Sequence, residues 1–252
     1  MRRLVSLLCT VTSLALAQSA PPEIPASAPA PNPSVDPAKT PVEQLDAFRY
    51  RIGEVTLDQR SREIRFPAQV NMSQGLLEYL VVLAKGKVHE ALLVTSISPT
   101  HLNLAFTLLR YPASHELFAL KDASGRRPNK LPAVPAAVKS AARIAIEVEW
   151  NDHDQTRRLP VNEWIQHIVT TTAMKPGPWL YTGSDFRQGK FIPELTGDLG
   201  AIMIDPGALT NYPGPDNGDN VWFAFPKRVP PEATPVTVII TPWSKTPPLP
   251  KP

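Results

Sequence analysis

Apolar and polar positions alternate in residues 55–66. Val55 and Leu57 precede a polar turn, Asp58-Gln59-Arg60-Ser61, and Ile64 and Phe66 alternate again before Pro67. Period two on both sides of a polar turn predicts a β-hairpin that ends at the proline. Residues 76–84 (LLEYLVVLA) are nearly continuously apolar, Lys85-Gly86 interrupts them, and residues 88–95 (VHEALLVT) resume the run. This pattern predicts a second hairpin with well-buried strands. Residues 143–150 (RIAIEVEW) alternate cleanly into the turn Asn151-Asp152-His153-Asp154, and further strands are expected at 179–182, 199–204, 221–225 and 236–240.

One stretch has helical spacing. Leu102, Ala105, Phe106 and Leu109 fall at i, i+3, i+4 and i+7, behind Ser98 as N-cap and Pro99 in the first turn. Residues 112–142 are rich in Pro, Ala, Lys and Arg and read as an excursion or loop. The fold class expected is α+β and β-dominated, a single antiparallel-sheet-rich domain with one or two packed helices.

The ends of the chain differ in kind. Residues 1–17 combine Arg2-Arg3, an apolar run and Ala15-Leu16-Ala17, the three parts of a secretory signal with cleavage before Gln18. The apolar run is too short for a spanning helix, so no transmembrane segment is expected in the mature chain. Residues 18–47 are expected to be a Pro/Ala-rich disordered linker, residues 48–241 the folded domain and residues 242–252 a proline-rich tail. The expected location is the periplasm or the extracellular space.

Charge and cysteine content narrow the chemistry. The chain has 26 Lys+Arg against 23 Asp+Glu; losing Arg2 and Arg3 leaves 24 against 23, a mature net charge of +1. No basic cluster marks a nucleic-acid surface, so nucleic acid is not expected as a partner. Cys9 is the only cysteine and falls within the signal. The mature chain therefore has no disulfide, thiolate zinc site, cysteine nucleophile or cysteine-ligated iron–sulfur cluster.

Three blocks carry a family resemblance: GKVHEALL at residues 86–93, WLYTGS at 179–184 and GAIMIDP at 200–206. In this order they resemble the YdjY-type domain of bacterial exported proteins, over residues 50–241. Some relatives are described as ferredoxin-like iron–sulfur proteins, and the cysteine-free mature chain departs from that description. The resemblance implies no catalytic residues that map onto this sequence.

Candidate chemistry centres on His89, Glu90 and Glu78. In a hairpin, Glu90 shares a face with Leu92 and Val94, and Glu78 with Leu80 and Val82; a carboxylate on a buried face needs a cation, a donor or a raised pKa. With Asp205 they could ligate a divalent metal, the one cofactor the pattern suits. The plainer alternative pairs both carboxylates with Lys or Arg, or places them at a solvated edge. His101 could join His89 if the helix packs over the hairpin, although a first-turn histidine more often faces solvent. His115-Glu116 reads as surface, His153 as turn chemistry, and His167 as a partly buried core neighbour. Ser184 lacks the flanking glycines of a nucleophile elbow. Trp150, Trp164, Trp179 and Trp222 read first as core and second as a glycan-stacking platform. The expected role is a binding or structural-interaction module with an envelope protein or glycan as partner; the alternative is a metal-binding enzyme or carrier using His89, Glu90 and Glu78.

Overall fold

A computed structural model describes residues 41–119 and 130–244. The expected signal peptide with Cys9, residues 18–40 of the expected linker and the tail from residue 245 lie outside the described residues.

The strands begin within the span that composition assigns to the linker, with β1 (Val42–Gln44), and continue with β2 (Arg49–Ile52), β3 (Val55–Asp58), β4 (Glu63–Val70), β5 (Leu76–Leu77), β6 (Tyr79–Leu83) and β7 (Ala91–Thr95). Helices α1 (Pro99–Leu108) and α2 (Ala136–Ala141) lead into β8 (Arg143–Asp152), β9 (Gln155–Pro160), β10 (Ile165–His167), β11 (Trp179–Tyr181), β12 (Phe186–Arg187) and β13 (Lys190–Phe191). Helix α3 (Ile192–Thr196), β14 (Asp198–Ala201), β15 (Thr210–Asn211), β16 (Trp222–Ala224) and β17 (Pro235–Pro242) complete the order.

The main sheet is a closed barrel. Its hydrogen-bonded order runs β4-β17-β8-β11-β15-β14-β6-β7 and returns to β4 through Gln69↔Val94 and Val70↔Leu93. Strands β1–β3 extend from β4, and β9 pairs with β8. The expected β-dominated class holds, but two of the pairings, β6–β7 and β14–β15, are parallel, so the architecture is more than an antiparallel sheet.

Alternation explains the long barrel strands. Ile144, Ile146 and Val148 of β8, Val236, Val238 and Ile240 of β17, and Ile64 and Phe66 of β4 are all buried in one core. Charged residues of β4, β8 and β9 form an ion-pair ladder: Arg65 contacts Glu63 at 3.2 Å and also Glu149, and Arg158 contacts Glu147 at 2.6 Å. Leu102 of α1 reaches the interior beside Phe66, Leu80, Val81, Leu93 and Ile146, where the residual void is about 10 Å³. An eight-stranded barrel is just wide enough for side chains to fill it.

The β3–β4 hairpin forms as expected, with Leu57 opposite Ile64. Pro67 does not stop β4, which continues to Val70; there the Pro67 carbonyl accepts from Thr95 Oγ1 at 2.6 Å. Helix α1 starts as expected, with Ser98 Oγ accepting from the His101 amide. At the β8–β9 turn His153 and Asp154 both have positive φ, the geometry of a two-residue hairpin turn. Trp164 and Trp179 are fully buried and Trp222 nearly so, which removes them as an exposed glycan platform. Trp150 is partly buried, its ring 5.0 Å from that of Trp164. Glu116, expected at the surface, is buried against Arg143 at 2.8 Å, because α2 and β8 fold over it. No helix among the described residues is long and apolar enough to cross a membrane.

The expected hairpin of residues 76–95 is corrected. Strands β6 and β7 run parallel, with Tyr79 opposite Ala91 and Val81 opposite Leu93. Residues 84–90 carry the chain back along β6 and end in a 3-10 turn at Val88–Glu90. Parallel strands ordinarily need about a dozen residues or more to cross over, and this connection is shorter. A continuous apolar run fits a strand buried on both faces in either direction, so the run itself left the direction open.

Phe106 is fully buried, stacked on Tyr181 at 4.1 Å and edge-on to Tyr111 at 5.4 Å. Urea unfolding of Phe106→Ala should show a loss of about 3–5 kcal/mol, the range for an emptied aromatic site. Leu108→Ala, on the exposed side of the same helix, should change stability by no more than about 0.5 kcal/mol.

Candidate functional site

Both parallel pairs need a connection that returns along the sheet, and these two returns, residues 84–90 and 202–209, build the site. Beneath them lies a small second core of Tyr79, Val82, Ala91, Ala201 and Ala208, with Val88 and Met203 packed on it. Two backbone contacts hold the first return. Asn71 Nδ2 donates to the carbonyls of Val88 at 2.6 Å and Ala91 at 2.7 Å, fixing the 3-10 turn. Gly197, at φ +85°, ends α3 so close to the turn that a Cβ there would lie 2.9 Å from the Gly86 backbone. That close approach sets Lys87 and Asp198 side by side.

The second return is held by fully paired polar groups. Asn211 Oδ1 accepts from the Asp205 amide at 2.8 Å, and its Nδ2 donates to the Asp205 carbonyl and to Thr182 Oγ1, each at 3.0 Å. Asp205 Oδ1 accepts from the Gly207 amide at 2.7 Å, and Ser184 Oγ donates to the Gly207 carbonyl at 2.7 Å. Ser184 is thus part of the scaffold.

Tyr79 links the two returns from the barrel wall. Its hydroxyl donates to Asp205 Oδ2 at 3.1 Å, and Lys87 Nζ donates to that hydroxyl while lying 4.4 Å from the ring centroid. Burial, reinforced by the charges of Asp205 and Asp198, holds the Tyr79 hydroxyl well above its usual pKa, so it stays a proton donor. Beside this chain opens a cavity of about 750 Å³ lined by Lys87, Asp198 and Asp205, with Lys85, Phe186 and Arg187 also on its wall.

Asp198 is the unusual member. It is 3% exposed, and its Oδ1 has no hydrogen-bond partner among the described residues. Burial raises its pKa, opposed by the charge of Lys87 and a hydrogen bond from Thr196.

The sequence candidates are distributed around this site. Asp205 lines the cavity, and His89 lines it too, with its side chain largely in solvent. Glu90 belongs to the 3-10 turn and Glu78 to a bend between β5 and β6, so neither sits on a strand face as the hairpin required. The two are nevertheless brought together: the Glu78 carboxyl is raised in pKa by burial, then by the charge and hydrogen bond of Glu90, with Lys87 acting against the shift. His89 Nε2 lies 3.7 Å from Glu90 Oε2. Among the described residues no group of three His, Cys, Asp or Glu is arranged to hold a metal ion. His101 is buried rather than solvent-facing and does not join His89; it packs on the β2–β3 turn, where a Cβ on Gly53 would lie 2.6 Å from its Nδ1. His167 is half-buried, edge-on to Trp222 at 5.2 Å.

Lys87, Tyr79, Asp198, Thr182 and Asn211 were not legible as site residues. Lys87, Thr182 and Asp205 do fall in the three sequence blocks, which was the one available signal.

A carboxyl whose folded pKa is raised contributes stability below its unfolded pKa and loses it as pH climbs through the folded value. Glu78→Gln should therefore melt higher than wild type at pH 8, and the two curves should converge towards pH 4. Thermal unfolding across that range measures it; a constant offset would mean that the Glu78 carboxyl is not raised in the folded state.

No curated protein and no solved structure matches the chain. The model of one family, the YdjY domain, matches residues 55–241, which takes in β3, the barrel strands up to Thr241 and both returns of the site. The chain belongs to the YdjY domain family.

Proposed function

We propose that this is an exported envelope protein whose YdjY domain is a binding module, with the cavity beside Lys87, Asp198 and Asp205 as its small-ligand site. The observation that carries the reading is the meeting of two distant sequence blocks at one cavity, with the third bracing its wall. Residues 86–93 supply Lys87 and His89 and residues 200–206 supply Asp205 and Pro206, while Ser184 and Thr182 of residues 179–184 hold the second return through the Gly207 carbonyl and Asn211. A cavity of this size falls in the range of small-molecule sites, about 300–1,000 Å³. Export rests on the signal pattern of residues 1–17, and the proline-rich segment after it would serve as the spacer. Neither a polyanion nor a glycan platform is needed in this reading, since the net charge of the mature chain is near zero and the tryptophans are mostly core.

A metal-binding reading has one observation of its own, the Glu78–Glu90 carboxyl pair beside His89. A divalent cation there would offset the repulsion between the two carboxylates. Metal analysis of protein purified without a histidine tag separates the two: stoichiometric metal lost in a His89→Ala, Glu90→Ala variant would favour the metal.

The binding reading is tested by thermal shift on residues 18–252 against amino acids, dipeptides, monosaccharides, nucleosides, dicarboxylates and divalent chlorides. At least one class should raise Tm by about 2 °C or more at saturating concentration, and Lys87→Met should remove the shift. A panel that moves nothing overturns the small-ligand site.

A further inference from the structure

The cavity lining is chemically two-sided. Asp198 is buried and Asp205 half-buried, whereas Lys85, Arg187 and Phe186 are exposed at the opening. Asp198 Oδ1 is a buried acceptor without a donor, a costly state that an incoming N–H or ammonium group would relieve. Lys87 donates to the Tyr79 hydroxyl and makes no hydrogen bond to that oxygen. At the opening, Arg187 makes no ion pair among the described residues, and Lys85 is engaged only by the Glu194 carbonyl. A free guanidinium in a fixed fork suits a carboxylate. The lining also includes the ring of Phe186, 63% exposed on the short β12–β13 hairpin.

The charges of the lining balance, with Lys85, Lys87 and Arg187 against Asp185, Asp198 and Asp205. A simple anion or a simple cation would leave one half of the lining uncompensated, whereas a ligand with both charges satisfies both. We propose that the cavity takes a small zwitterion of the amino-acid or short-peptide class, its ammonium group donating to Asp198 and its carboxylate meeting Arg187 at the opening. Phe186 offers an apolar wall to the ligand's side chain, and the cavity volume accommodates a dipeptide. This ligand class rests on the cavity being a binding site, as proposed above.

Isothermal titration of residues 18–252 with L-alanyl-L-alanine tests it, alongside the N-acetylated and the C-amidated dipeptide, putrescine, acetate and glucose. The free dipeptide should bind, and blocking either end should weaken binding by about tenfold or more, the loss of one charge-assisted contact. Asp198→Asn should erase the difference between free and acetylated dipeptide. Arg187→Gln, a surface change on a hairpin, should erase the difference between free and amidated dipeptide, and circular dichroism confirms that each variant is folded. Equal affinity for free and blocked dipeptides overturns the zwitterion. Binding of putrescine, acetate or glucose that Lys87→Met abolishes, with no dipeptide binding, overturns the ligand class and leaves the binding site standing. If these probes and the thermal-shift panel are all silent, both the site and its ligand class fall.

Discussion

Closure of the barrel by β7 is the constraint on which the rest of the structure depends. This strand is buried along its whole length and pairs on both sides, parallel to β6 and antiparallel to β4. Without it the sheet would keep two open edges, and the apolar runs of β6 and β7 would face water. With it, Phe66, Leu80, Leu93, Ile146 and Leu199 meet in a sealed interior that Leu102 of α1 helps to fill. With Cys9 as its one cysteine the chain can form no internal disulfide and relies on such packing and its hydrogen bonds for stability, and barrel closure supplies both: paired edges and a filled core.

The site follows from the same constraint. A parallel neighbour cannot be reached by a tight turn, so the chain must return over the outside of the sheet. It does so twice, at residues 84–90 and 202–209, and both returns cover the same small outer core around Tyr79. Lys87 comes from the first, Asp205 from the second, and Tyr79 lies between them as the hydrogen-bonded link. The side-chain amides of Asn71 and Asn211, bonded to the backbone of the two returns, and the close approach of Gly197 to Gly86 determine where these charges sit.

The electrostatics around Lys87 are those of one ammonium shared among several carboxyls. It opposes the raised pKa of both Glu78 and Asp198 and donates to the tyrosine that serves Asp205. One cation cannot satisfy them all by direct contact. Burial and the neighbouring Glu90 raise the Glu78 carboxyl's pKa, and Asp198 keeps an oxygen without a donor among the described residues. A buried acceptor left in that state costs free energy, and the cavity beside it is where a ligand could supply the missing donor.

Local sequence was enough for whatever is decided by near neighbours. Alternation at Val55–Leu57 and Ile64–Phe66 determined a hairpin, Ser98-Pro99 determined the start of α1, and the Asn151–Asp154 run marked a turn that the structure tightens to His153-Asp154. The three blocks also marked the family and contained Lys87, Thr182 and Asp205. Strand direction was different. The apolar run of residues 76–95 reads the same for a parallel or an antiparallel pair, and β4, distant in sequence, supplied the second partner of β7. That choice moved Glu78 and Glu90 off the strands, and packing elsewhere turned His101 inward against Gly53 and buried Asp198 and Glu116. Side-chain periodicity reports which face of an element is apolar, whereas the partner that covers it is set by packing across the whole chain.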